Sequence, residues 1–421
     1  MIEHLKLEHV GPGSNVELEF APRLNLLTGD NGLGKTFVLD VVWWALTRTW
    51  AEQPAWPQRS PNGHDPRIEY RVRGKVKATE QSATYDFSLQ DWVLAPGRPP
   101  MPGLVIYARV DGSFSVWDPA RNYWRNAPSL DIRQFDRPAA YLFSPGALWN
   151  GLTSDSGRVL CNGLIRDWVT WQLQGAEAFE QLQQMLGTLS VDAAEALNPG
   201  PPMRVSLEDA RDIPTLQMPY GTIPITHASA GARRILALAY LLVWAWQEHL
   251  RASELIREEP TERIILLVDE MEAHLHPKWQ RHILPALLSV VRKLKNSAKV
   301  QVVAATHAPL LLASIEPEFD PEQDALFMFD LVDNEVKVSR ADWRPRGDAN
   351  AWLTSEVFDL KEPRSVEAER ALTRAKVALR NPNLSIEEVR DIHNELYRLL
   401  KDTDPFWPRW LARAEAAGIE P

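Results

Sequence analysis

Gly29-Asp30-Asn31-Gly32-Leu33-Gly34-Lys35-Thr36 fits the pattern G-x-x-x-x-G-K-[ST], in which consecutive backbone N–H groups wrap a chain of phosphates. Glycine suits the wrap because side chains at Gly29, Gly32 or Gly34 would obstruct the anion. Lys35 would reach the β- and γ-phosphates, and the Thr36 hydroxyl would hold Mg²⁺. Far along the chain, Ile264-Ile265-Leu266-Leu267-Val268 runs into two acids, Asp269 and Glu270. In a phosphate-transferring site Asp269 would hold Mg²⁺ through water and Glu270 would polarise the attacking water. Val300 to Thr306 ends in His307, placed to sense a γ-phosphate. Ser229-Ala230-Gly231 opens an apolar run, offering a hydroxyl, a bare backbone N–H and a helix dipole to one more phosphate; an ordinary helix cap is the simpler use of the same residues.

These groups need particular elements behind them. Leu24 to Thr28 reads as a short buried strand and Phe37 to Leu46 as a helix, the setting a phosphate loop requires. Leu5 to Val10 and Val16 to Phe20 alternate like a strand pair. Ala51 to Asp65, rich in Pro, Gln, Ser and Asn, reads as a surface loop. Two hairpins are expected next. Arg67 to Arg73 faces Ala83 to Ser88, and Leu104 to Val110 turns through Asp111-Gly112 into Ser113 to Trp117. Arg67, Arg71, Arg73, Lys75 and Lys77 form a basic stripe, either a solvated strand face or a rim that contacts phosphates. Gly157 to Leu189 has helical spacing (Leu160, Leu164, Trp168, Trp171, Phe179, Leu182, Leu186) until Asn198-Pro199-Gly200-Pro201-Pro202 ends it. Strands are expected at Met203 to Leu207 and Gly221 to Thr226. Beyond about Asp342 the pattern is helical, with Ser365 and Ser385 as caps.

Composition narrows the class. The chain has 421 residues, 45% apolar and 24% charged, which are values of a globular protein. A net charge of −10 provides no general attraction to nucleic acid or anionic membrane, so any DNA contact must be local. The single cysteine, Cys161, excludes an intramolecular disulfide and suits a reducing cytosol. Met1 to Lys6 lacks the basic and apolar pattern of an export signal, and the apolar run Ile235 to Trp246 is shorter than the roughly 20 residues of a bilayer span. A cytoplasmic location without membrane association is therefore expected. The tryptophans Trp43, Trp44, Trp168, Trp171, Trp244 and Trp246 fall in helical patterns and are expected in the core rather than against bases.

The order of phosphate loop, Ser-x-Gly helix, acid-ended strand, Glu272-Ala273-His274-Leu275-His276-Pro277 and strand-end histidine resembles the ABC-type ATPase family. It is similar in particular to the branch that includes RecF, structural-maintenance-of-chromosomes heads and the overcoming-lysogenisation-defect ATPases. The resemblance implies an α/β fold: an ABC-ATPase head with a mixed antiparallel amino-terminal lobe, a helical arm and a parallel-sheet core, followed by a helical carboxy-terminal tail. It further implies ATP and Mg²⁺ as cofactors, Gly29 to Thr36 as the Walker A loop, Asp269 and Glu270 as the Walker B pair, Ser229 and Gly231 as the signature, Glu272 to Pro277 as the D-loop and His307 as the switch histidine. Two such heads sandwich two nucleotides, so a homodimer or higher homo-oligomer is expected. Three departures stand out: Ala232 where a Gln or Glu is usual, Ala228 where a Leu is usual, and no glutamine for the Q-loop, whose place falls at Tyr141 to Gly146. His274 and His276 fit the D-loop better than a metal site. The segment between Gly146 and Ser229, about eighty residues, excludes a long coiled coil.

The resulting division is residues 1–340 as the head, comprising 1–50 (phosphate-loop lobe), 51–135 (antiparallel hairpin insert), 136–228 (Q-loop region and helical arm) and 229–340 (signature, Walker B and switch), with 341–421 as a helical tail that binds a partner. Arg346 to Leu360, with Arg364-Ser365 and Glu367-Ala368-Glu369, resembles the end of PtuA-like ATPases of the Septu and retron antiphage systems. That resemblance implies a separately encoded HNH-type nuclease as effector. Asp402-Thr403-Asp404 lies in a polar turn before Pro405, which argues against a nuclease within this chain. The alternative is a RecF-like repair ATPase that touches DNA directly through Arg67 to Lys77. A transporter subunit is disfavoured by the missing Q-loop glutamine.

Overall fold

The computed structural model describes residues 1–59, 63–74, 77–94, 101–122, 138–192, 195–294, 298–381 and 383–419. The chain forms two compact units, Met1–Ala349 and Asn350–Pro421. In the first unit β1 (Ile2–Val10) and β2 (Gly13–Glu19) precede β3 (Leu24–Gly29), which runs into the glycine-rich loop, and α1 (Lys35–Thr47) leaves that loop. Next come β4 (Arg67–Arg73), β5 (Ala78–Asp86), β6 (Asp91–Leu94), β7 (Leu104–Ala108), β8 (Phe114–Trp117) and β9 (Tyr141–Phe143). The arm holds α2 (Pro145–Asn150), β10 (Leu152–Thr153), β11 (Val159–Cys161), α3 (Leu164–Gln174), α4 (Glu177–Leu189), β12 (Asn198–Arg204), β13 (Asp212–Met218) and β14 (Gly221–Pro224). The long α5 (Ala230–Ile256) leads to β15 (Arg263–Asp269), α6 (Pro277–Leu294), β16 (Lys299–Ala305), α7 (Pro309–Ile315), β17 (Asp324–Val332) and β18 (Glu335–Arg340). α8 (Ala349–Leu353), α9 (Val366–Arg380), α10 (Ile386–Leu399) and α11 (Trp407–Ala416) follow.

The central sheet has eight strands in the order β18-β17-β3-β16-β15-β7-β8-β9. Its five inner members, β17, β3, β16, β15 and β7, are parallel. Strands buried on both faces favour apolar runs, and β15 has one, while β3 is buried throughout with Asn25 and Thr28 among its leucines. Register aligns Leu27 with Ala305 and Ala305 with Asp269, so β3, β16 and β15 end side by side. The Thr306 N–H closes the row by donating to the Leu27 carbonyl at 2.9 Å. The glycine-rich loop, Asp269-Glu270 and His307 thus leave one carboxyl edge of a parallel sheet, where α/β folds bind ligands. The expected α/β head architecture is therefore present.

A second, antiparallel sheet (β2-β1-β4-β5-β6) covers α1. Trp43 and Trp44 are buried between the layers, Trp44 stacking on Trp50 with centroids 5.0 Å apart and meeting Tyr70 edge-on at 5.8 Å. The expected use of the tryptophans in packing holds for this pair.

Several elements differ from expectation. The β7–β8 hairpin belongs to the central sheet, β7 pairing in parallel with β15, and is no part of an antiparallel insert. Its continuously buried Leu104–Ala108 has the look of an inner strand, whereas a turn-based reading sees only the Asp111-Gly112 reversal. Leu160 lies in β11, and the helix α3 begins after Gly163. The proline-rich Asn198–Arg204 is a strand, because it lies at the edge of β12-β13-β14, where missing N–H donors do no harm. β13, paired to β12 and β14, has no counterpart in the expected pattern. The partner of β4 spans Ala78–Asp86, earlier than Ala83 to Ser88, and turns again into β6.

In the second unit α9, α10 and α11 bury Ala371, Leu372, Val389, Leu396, Trp407 and Trp410 against one another. Ser365 caps α9 by accepting the Ala368 N–H, and Ser385 with Glu388 forms a reciprocal capping box at α10. Asp404 is buried and ion-paired to Arg364. Among the described residues no helix is long and apolar enough to cross a membrane.

Candidate functional site

The loop between β3 and α1 takes its shape from glycines, and each of the three has its own reason. Gly29 (φ +132°) would put a Cβ 2.2 Å from the Phe329 carbonyl oxygen, so β17 packs directly on it. Gly34 (φ +95°) would meet the Pro12 ring at 2.5 Å. Gly32 (φ +80°) faces open space. Two of the three are thus held by neighbouring backbone and ring contacts, and only Gly32 is free on the side a ligand could approach. Asp30, Asn31 and Gly32 are exposed, Leu33 is half-buried, and Lys35 is buried with its ammonium donating to the Gly29 and Asp30 carbonyls at 2.8 Å each. Burial pulls the Lys35 pKa down, opposed by the carboxylates of Glu270, Asp269 and Asp30.

Across from the loop, the Thr36 hydroxyl donates to Asp269 Oδ2 at 2.9 Å. Asp269 is buried, and burial pushes its carboxyl up to about 6 against the Thr36 hydrogen bond. Its Oδ1 has no hydrogen-bond partner, as is also true of Glu272 Oε2 and His307 Nδ1. A buried carboxylate oxygen left without a partner beside a threonine hydroxyl is a donor set suited to a hard cation such as Mg²⁺. Glu270 comes next, half-buried, its Oε1 3.7 Å from His307 Nδ1. The structure therefore brings Lys35, Thr36, Asp269, Glu270 and His307 to one edge.

Ser229 and Gly231 lie elsewhere. The Ser229 hydroxyl accepts the Ala232 N–H at 3.2 Å, capping α5, and among the described residues it makes no hydrogen bond to the phosphate loop. A Cβ on Gly231 would lie 2.9 Å from the His274 carbonyl oxygen, so this glycine lets the helix start approach the turn after Glu270. Ser144, in the region expected for the Q-loop, spends its hydroxyl capping α2. His276 accepts the Lys278 N–H at 3.3 Å, and among the described residues no group of three or more His, Cys, Asp and Glu side chains is arranged to hold a metal.

Two residues at the site, Asp40 and Arg234, escaped the sequence reading, and Glu272, expected as the first residue of the D-loop, has a further role there. Glu272 is buried and its Oε1 accepts both the Thr306 hydroxyl (2.8 Å) and the His307 N–H (3.0 Å), fixing the switch segment. Asp40, one helical turn beyond Thr36, accepts the Tyr107 hydroxyl at 3.1 Å, and burial pushes its carboxyl up to about 6. Arg234 reaches from α5 to the ends of β7 and β15. The spacing of Asp40 from Thr36 was a usable signal; Arg234 gave none, because its partners are backbone groups.

The arginines of the basic stripe are internally neutralised. Arg67 pairs with Glu69, Arg71 with Glu3, Glu19 and Glu80, and Arg73 with Glu3. Lys75 lies outside the described residues. Cys161 is buried, with Sγ 3.1 Å from the Tyr240 hydroxyl, and burial pushes its thiol up to about 11.

A parallel sheet with a glycine-rich loop and an acid-ended strand along one edge defines the class as a phosphate-loop α/β protein. The chain belongs to the family described as "AAA domain, putative AbiEii toxin, Type IV TA system", which matches residues 24–313, more than half of its length. Shorter stretches are similar to curated relatives. One is "Retron Vc95 probable ATPase" of Vibrio cholerae serotype O1 biovar El Tor, 40% identical over 55 residues, or 13% of this chain and 9% of that one. Another is "Septu protein PtuA" of Bacillus mycoides strain KBAB4, 27% identical over 139 residues, or 32% of this chain and 18% of that one. The alignments thus span less than a fifth of either relative. Among solved structures, an SMC head bound to the C-terminal winged-helix domain of ScpA aligns over 82% of this chain and 98% of that one, with 13% identity and a TM-score of 0.44.

Proposed function

We propose that the chain binds and hydrolyses ATP at the edge formed by Gly29–Thr36, Asp269, Glu270 and His307, and that two copies close around nucleotide. The observation that carries this reading is the hydrogen bond from Thr36 to Asp269 at 2.9 Å, with Asp269 Oδ1 left without a partner beside it. It joins the loop and the acid-ended strand at the point where a divalent cation would be held. Thr36 and Asp269 would hold Mg²⁺, which neutralises charge on the phosphate oxygens when bound. Lys35 would leave the Gly29 and Asp30 carbonyls to meet the phosphates, exchanging two neutral acceptors for an anion. Glu270 would take the proton of the attacking water, and His307, 3.7 Å from its carboxylate, would orient both water and phosphate.

Ser229, exposed at its helix start, and Gly231, half-buried beside it, would complete the site of a second copy. Closure would control an effector encoded separately, an HNH-type nuclease acting in antiphage defence, bound through the tail. Family membership and the likeness to Septu and retron proteins support this reading. Direct DNA contact through Arg67, Arg71 and Arg73 is disfavoured by their carboxylate partners.

The test is affinity capture of the Glu270→Gln protein from its native host with MgATP present, together with light scattering. A nuclease in the eluate and a doubled mass with ATP are expected. Recovery of nucleic acid without any nuclease would favour the repair alternative, and one mass in both states would refute closure.

A further inference from the structure

α5, capped by Ser229, passes Arg234 little more than one turn later. The Arg234 guanidinium donates to four main-chain carbonyls at and just past the ends of β7 and β15: Nη1 to Val110 (2.7 Å), and Nη2 to Asp269 (3.0 Å), Glu270 (3.0 Å) and, more distantly, Arg109 (3.4 Å). Its charge faces Glu272, Asp269, Glu270 and Asp111. Arg233, its neighbour, is exposed.

The residue under this clamp is strained. Glu270 has φ +46°, a left-handed conformation that a side-chain-bearing residue adopts only when its surroundings impose it. Three main-chain bonds impose it here: the Glu270 N–H donates to Ala305 (3.0 Å), and its carbonyl accepts the Ala273 N–H (2.9 Å) and Arg234. Arg234 is the only side chain among these partners, and the only one carried by α5. The same helix start is fastened to the same turn a second time, where Gly231 lies against the His274 carbonyl. A displacement of Ser229–Gly231 would therefore reach Glu270 through Arg234, and the turn that follows it through the approach of Gly231 to His274.

We propose that Arg234 is a positioning residue that ties the Ser229–Gly231 helix start of each chain to its own Glu270. A nucleotide docked on that helix start by a second copy then sets the carboxylate that acts on the nucleotide held by Gly29–Thr36 of the same chain. This rests on the reading of the edge as an ATP site. It makes hydrolysis in one site answer to occupancy of the other without a contact between the two nucleotides.

The experiment measures steady-state ATP hydrolysis and MgATP binding for full-length wild type, Arg234→Ala, Arg234→Lys, Ser229→Ala and the Ser229→Ala/Arg234→Ala pair. Arg234→Ala is expected to lose about tenfold or more in kcat with KM within about twofold, because the strained backbone relaxes while the phosphate loop is untouched. Arg234→Lys, retaining the charge but not the fork, recovers part of that loss, and millimolar guanidinium added to Arg234→Ala recovers part as well. Ser229→Ala lowers kcat in the wild-type background and has little further effect in Arg234→Ala, since the link it acts through is already cut. Losses that multiply, a Ser229→Ala protein with wild-type kcat, or an Arg234→Ala protein with wild-type kcat would each overturn the proposal. If Arg234→Ala fails to fold, the Arg234→Lys protein decides alone: wild-type kcat there overturns the requirement for the fork. A wild-type chain that binds no MgATP would instead sink the nucleotide reading itself.

Discussion

Replacing Asp40 by Asn should make the protein more stable, and by an amount that grows with pH. Asp40 lies on α1 behind the site, where it accepts the Tyr107 hydroxyl at 3.1 Å. Burial is the largest influence on its carboxyl, Arg109 and the Tyr107 hydrogen bond oppose it, and Asp269 and Glu52 add to it, leaving the group pushed up from 3.8 to about 6. A carboxyl whose folded pKa lies above its unfolded one costs stability as pH rises: the unfolded chain gives up the proton near 3.8 while the folded chain holds it until about 6. The cost is small below the unfolded value, about 1.6 kcal/mol near pH 5, and reaches an upper bound of about 3 kcal/mol near pH 8, at 1.36 kcal/mol per unit. Asn keeps an oxygen for Tyr107 and cannot ionise. Urea unfolding of wild type and Asp40→Asn at the two pH values should show the variant ahead at both, with the gap widening by about 1.4 kcal/mol from low to high pH. A gap independent of pH, or a variant less stable at the higher pH, would refute the buried-charge argument.

Other outcomes follow from the same contacts. Gly29→Ala, with its Cβ 2.2 Å from the Phe329 oxygen and φ at +132°, should destabilise the fold by about 2 kcal/mol or more in urea unfolding, whereas Gly32→Ala, facing open space, should cost about 1 kcal/mol and act chiefly on nucleotide affinity. Cys161, held as a thiol by burial, should resist maleimide near neutral pH until the chain is unfolded. Trp410→Ala, which empties the core of the Asn350–Pro421 unit, should lower that unit's stability by about 3–5 kcal/mol, read from hydrogen exchange in α9 to α11 of the full chain. Ser385→Ala should cost about 1 kcal/mol in the same measurement.

What was legible in the sequence was what the chain writes locally. Leu24 to Thr28 and Ile264 to Asp269 are largely apolar runs because inner parallel strands are buried on both faces, and Ser229, Ser365 and Ser385 cap helices with their own side chains. What stayed hidden depends on pairing at a distance. β7 reads as half of a hairpin until β15 is known to lie beside it, and the proline-rich β12 reads as a break until its edge position is known. Gly29 shows the same limit inside a recognised motif. Its pattern predicts room for phosphate, yet its own Cβ is excluded by a strand about three hundred residues away. Arg234 acts on backbone groups, which carry no residue identity for a pattern to match.

The proposed ATP site unites Lys35, Thr36, Asp269 and Glu270. Calorimetric titration of MgATP into wild type, Lys35→Ala and Glu270→Gln, with phosphate release measured on the same samples, tests it most directly. Wild type is expected to bind and hydrolyse, Lys35→Ala to lose binding and with it turnover, and Glu270→Gln to bind as wild type does while releasing at least about a hundredfold less phosphate. Unchanged affinity in Lys35→Ala, or wild-type turnover in Glu270→Gln, would contradict it.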